Sequence, residues 1–219
     1  MWAAGIAAGA VPVSLWRIVG PGFHRIVAAS AALMGVGALV FEVRPGTIVG
    51  LVSLVVGAAV AGRPGWTAAA FGISAAGFLA SAISSGDALL AVSGALTLGG
   101  VTDEMLLGHW YLVDPRLPRW ALKSLDGAAF LGLMADAGLL AQRGALSWES
   151  EAFVVGWAFV GLALMTALLL AGVWFALKER GYSGVMAATG LSYLAVLTVI
   201  GATISGRSLI GDGSGLLSG

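Results

Sequence analysis

The sequence contains no cysteine and very little charge. Without cysteine, the chain can form no disulfide, no thiolate metal site and no cysteine-held iron–sulfur cluster of its own. Charged residues make up 10% of it, where a soluble domain carries about 25%. That is too little polar surface to cover a globule in water. The 11 basic and 11 acidic residues cancel, and no basic tract offers a surface to nucleic acid or a polybasic arm to lipid headgroups. No charged stretch precedes the first apolar run, so a cleaved signal peptide is not expected. The signatures of soluble enzymes are missing as well. There is no G-x-S-x-G elbow, no H-E-x-x-H pair, no phosphate-binding loop with its lysine and no dinucleotide fingerprint. The sequence therefore nominates no catalytic residue and no metal-ligand set.

What fills the chain is hydrocarbon: 59% of residues are hydrophobic, and the mean hydropathy is +0.98. Apolar runs of about 20 residues match the core of a bilayer. They are continuous rather than alternating, which sets aside a β-barrel. The expected fold is all-α, a polytopic integral membrane helix bundle forming a single transmembrane domain over 1–219. Eight apolar segments are expected, at roughly 2–16, 26–43, 47–62, 67–84, 88–114, 120–142, 151–177 and 183–206. The first and third fall just under the usual spanning minimum of about 17 residues. Seven spans with an N-terminal surface helix is therefore the alternative. Residues 208–219 read as a Gly/Ser-rich external tail with little structure of its own. Short connectors such as "GPGFHR", "DPRLPR" and the repeated "RPG" join the segments.

Charge asymmetry orients the bundle. Arg17, Arg25, Arg63, Arg116, Arg119, Lys123, Lys178 and Arg180 fall on one side, and Arg44, Arg143 and Arg207 on the other. By the positive-inside rule the richer side is cytoplasmic, and both termini lie outside. The setting that fits is a bacterial cytoplasmic (inner) membrane. Glycine is abundant, 34 of 219 residues, and "GIAAG" and "GTIVG" carry the small-xxx-small spacing that lets helices approach closely in lipid. Packing within one chain is the expected use, with a dimer face the alternative.

Away from the span ends, four acids lie within the expected hydrocarbon: Asp103, Glu104, Asp126 and Asp136, all on the fifth and sixth segments. At a rise of 1.5 Å per residue, Asp103 and Glu104 lie about 15–17 Å from the cytoplasmic end, Asp126 about 9 Å and Asp136 about 24 Å. Lys123 stands three residues before Asp126, where an ion pair is open to it. "HWY", His109 to Tyr111, lies about 7 Å in. The two segments are expected to form a polar hairpin with the fifth at the centre of the bundle. Read functionally, Asp103, Glu104, Asp126, Lys123 and Asp136 are a proton relay or partner ion pairs. His109, Trp110 and Tyr111 are candidates for lining a quinone site, since a quinone needs hydrogen-bond donors beside an apolar slot. Read structurally, "HWY" is an interfacial anchor. Haem b would require His24 and His109, the only two imidazoles, to meet, and His24 sits in a connector where a solvated ring is the default.

The function expected is a small integral membrane subunit of a larger complex of redox or respiratory type, with other membrane subunits and the lipid bilayer as partners. It would handle quinone or protons in the cytoplasmic leaflet. A proton-coupled transporter or channel is the second reading, and an assembly subunit without chemistry the third.

Overall fold

A computed structural model describes residues 1–84, 86–114, 117–144, 146 and 153–215, the last five by backbone alone. Every regular element among them is a helix: α1 (Trp2–Trp16), α2 (Pro21–Phe41), α3 (Pro45–Ala59), α4 (Pro64–Ile83), α5 (Ala88–Val113), α6 (Trp120–Gln142), α7 (Phe153–Ala176) and α8 (Tyr182–Gly215). Six are long and apolar enough to cross a membrane, while α1 and α3 are shorter at 15 residues each.

Proline sets three of the starts. Pro21, Pro45 and Pro64 open α2, α3 and α4, the position where a missing N–H costs nothing and a fixed φ suits the helix. The recurring "RPG" is thus a helix-start device. The same chemistry corrects one expectation. "GPGFHR" is not a connector throughout, because α2 begins at Pro21 and His24 lies in its first turn, buried rather than solvated. At the start of α5 the side chain of Asp87 accepts the Leu90 amide at 3.0 Å, an N-cap. That bond, and then Arg143 beside it, hold the Asp87 carboxyl below the usual range.

The last helix also departs from expectation. It continues to Gly215 instead of ending near 206, and 216–219 lie outside the described residues, as does Arg116. Glycine and serine are poor helix formers, but packing routinely overrides propensity. Here Arg207 and Leu209 are drawn into the bundle.

α5 is the central helix. Of its most apolar window 72% is buried inside the protein, against 22% for α7. α1 lies inside the bundle, packed between α4 and α5, not on its surface. It runs parallel to α5: Gly5 abuts Ala95 and Gly99, and Gly9 abuts Asp103. α8 runs antiparallel to α5, with Ser192 at Glu104 and Arg207 at Leu90. "GIAAG" and "GTIVG" are both consumed within the chain, the first against α5 and the second, through Gly46 and Gly50, against Gly77 and Phe78 of α4.

Candidate functional site

The seam between α5 and α6 carries the intramembrane acids. Its register follows from close contacts: Ser93 meets Asp136, Thr97 meets Gly132, and Gly100 meets Ala129. Each step of three or four residues down α5 is matched by one back along α6. The next step brings Asp103 and Glu104 level with Asp126.

The four acids have different company. Asp136 is 2% exposed and is neutralised. Arg207 of α8 reaches it at 2.9 Å and also donates to the Leu90 carbonyl at 2.7 Å, while the Ser93 hydroxyl donates to the same carboxylate oxygen. The other three have no such partner. Asp103 and Glu104 are each 1% exposed and Asp126 3%. Both carboxyl oxygens of Asp103 lack a hydrogen-bond partner, as do Oε2 of Glu104 and Oδ1 of Asp126. Among the described residues, no lysine or arginine forms an ion pair with any of them. Asp103 is pressed against the backbone of α1 at Gly9. Glu104 turns to α8, with Oε1 2.6 Å from the Ser192 hydroxyl oxygen. Asp126 lies in the second turn of α6, toward the end of the bundle where that helix begins. None of the three is exposed on the surface of the single chain.

Lys123 does not pair with Asp126. Its ammonium lies over the Trp174 ring of α7, 5.3 Å from the centroid. The three "HWY" side chains go to three neighbours. His109 is exposed at the edge of α5, with Nδ1 3.2 Å from the Tyr193 hydroxyl of α8. Trp110 packs on Gly22 and Phe23 of α2. Tyr111 is fully buried and donates to the Pro118 carbonyl at 2.5 Å. None of the three lines any of the three cavities of about 710, 350 and 400 Å³. His24, 5% exposed, packs against Phe71 of α4, with ring centroids 6.2 Å apart. The two imidazoles thus address different helices. Among the described residues no group of three or more His, Cys, Asp or Glu is placed to hold a metal ion.

A polar line along the seam is interrupted. Thr97 and Glu104 stand seven residues apart on α5, about 10 Å along the axis, and the interval is filled by Gly100 against Ala129. Asp136 with Arg207 is therefore separated from the three unpaired acids by an apolar step on this face, the Thr102 hydroxyl being engaged with Trp2 and the Leu98 carbonyl. Two participants were not nominated from sequence, Ser192 and Arg207. The signal was present: Thr189, Ser192, Thr203 and Arg207 recur at helical spacing along one face of α8, and the first three are buried. No protein-family model matches the chain, and comparison with curated proteins and with solved structures gives no match.

Proposed function

We propose that this integral membrane protein handles protons through the buried carboxyl cluster of Asp103, Glu104 and Asp126. The observation that carries the reading is the company these groups keep: three enclosed carboxyls at one level of the bundle, Asp103 turned to α1, Glu104 to α8 and Asp126 on α6, with no lysine or arginine paired to any of them among the described residues. An ionised carboxyl in such surroundings needs a counter-charge or several hydrogen bonds, and Asp103 has neither. Charge balance inside the seam therefore falls to protons, and intramembrane acids of this kind serve as relays. The apolar step at Gly100 favours exchange with one side over conduction across the bundle. Asp126, in the second turn of α6, is the member through which protons enter and leave. In its fuller form the proposal makes the chain a small subunit of a larger membrane assembly that uses those protons. The divergence of His109, Trp110 and Tyr111 gives a quinone headgroup no slot of its own, so quinone does not enter the reading.

The test is an infrared pH titration of the full chain reconstituted in lipid, repeated with Glu104→Gln, Asp126→Asn and Asp103→Asn. Carboxyl stretching bands that come and go reversibly with pH are expected, one missing in each variant. Proton uptake per protein should fall in step. If no reversible band is lost in any of the three variants, while each elutes and folds like the parent, the cluster is structural and the proposal fails.

A further inference from the structure

Ser192 is 1% exposed, with Oγ 2.6 Å from Oε1 of Glu104 and 2.9 Å from the carbonyl oxygen of Ala188. A serine hydroxyl has one hydrogen to give and two lone pairs. The Ala188 carbonyl only accepts. A carboxyl accepts when ionised and also donates when it holds a proton. Ser192 cannot donate to both neighbours at once, so the two contacts are satisfied together in only one way. Glu104 holds a proton and donates it to Ser192 Oγ, and Ser192 donates to Ala188. When the proton leaves Glu104, the hydroxyl turns and donates to Oε1. The Ala188 carbonyl then keeps its helical bond from the Ser192 amide, one turn ahead. The change costs a rotation about one bond and no movement of either helix.

Few titratable groups surround this pair. Asp126 lies level with Glu104 on α6. α1 bears no charged side chain, and Asp103, the sequence neighbour, is turned to Gly9. His109, farther along α5, meets the hydroxyl of Tyr193, the residue after Ser192 on α8, at the exposed edge of the bundle. Ser93 makes a similar contact with Asp136, but there Arg207 stands beside the carboxylate and gives its charge a fixed partner.

We propose that Ser192 is the positioning residue of the cluster, a hydroxyl that alternates between accepting from and donating to Glu104 as the proton arrives and departs. The inference rests on the proton-handling reading of the seam. In the reconstituted full chain, the Glu104 carboxyl band is identified by its loss in Glu104→Gln. In Ser192→Ala that band should move to higher wavenumber, because the carboxyl O–H has lost its acceptor, and Ser192→Thr should restore it. Proton release after a pH jump should slow by about tenfold in Ser192→Ala, the scale of one charge-assisted hydrogen bond, and recover in Ser192→Thr. Should Ser192→Ala fail to assemble, Ser192→Cys, with a weaker donor and acceptor, should place the band between the two. A Glu104 band that stays put in Ser192→Ala or Ser192→Cys overturns the role of Ser192 and leaves the proton-handling reading intact. Absence of any Glu104 band in the parent protein overturns that reading and this inference with it.

Discussion

Asp136 and Asp103 are the same side chain on neighbouring helices, both buried, yet they do different work because of what stands beside them. Asp136 belongs to a tie joining three helices, with Ser93 from α5 and Arg207 from α8. Removing one partner of a buried pair leaves the other charge uncompensated, which is worse than removing both. We expect Asp136→Asn to lower stability by about 3 kcal/mol, the low end for such a break because Arg207 keeps some exposure. The double change Asp136→Asn with Arg207→Gln should recover much of the loss, as read by thermal unfolding in detergent. A double variant no more stable than the single would show that the tie does not act as a charge pair. The acids were legible in the sequence, since ionisable residues stand out in an apolar run. Their division into paired and unpaired was not. Arg207 looks like an end-of-span charge until α8 is seen to continue past it, and Lys123 looks like the partner of Asp126 until it is seen over Trp174.

At the scale of helices, glycine decides how near α1 can come to α5. A Cβ on Gly5 would collide with the Ala95 carbonyl and the backbone of Gly99, neither of which can turn aside. Gly161 on α7 has open space around it. Alanine is the better helix former, by roughly 0.5–1 kcal/mol, so room alone sets the sign of each substitution. Gly161→Ala should raise the unfolding midpoint slightly. Gly5→Ala should lower stability by about 1–3 kcal/mol through overpacking and loosen α1 from α5. Equal midpoints for the two variants would mean that α1 is not seated this closely. Most helix positions were legible from apolar periodicity together with proline and glycine punctuation, and the starts of α5 and α6 at Ala88 and Trp120 fall where the sequence places them. The start of α2 and the end of α8 were not. In the first case "GPG" resembles a turn until Pro21 is taken as a first helical residue. In the second, packing of Arg207 and Leu209 outweighs a weak local propensity.

The whole molecule is a bundle whose helices alternate in direction, as the parallel run of α1 with α5 and the antiparallel run of α8 with α5 show. Alternation sorts the basic residues by end. Arg17, Arg63, Arg119, Lys178 and Arg180 gather where α4 begins, and Arg44, Arg143 and Arg207 where it finishes. Cations are retained on the cytoplasmic side, so the richer end should face the cytoplasm, and with it the approach to Asp126. Two glycines at the ends of α4 test this without disturbing the fold. Gly65 and Gly86 are both exposed, and nothing lies within 4 Å of a Cβ at either. A chain with no cysteine of its own also gives no background. In intact cells, an impermeant thiol reagent should label Gly86→Cys, and should reach Gly65→Cys only after the membrane is opened. The reverse pattern would turn the molecule over and move the mouth of the carboxyl cluster to the outer side. Labelling of both sites in intact cells would mean that α4 does not cross the bilayer, and the depth assigned to the acids on α5 and α6 would have to be abandoned.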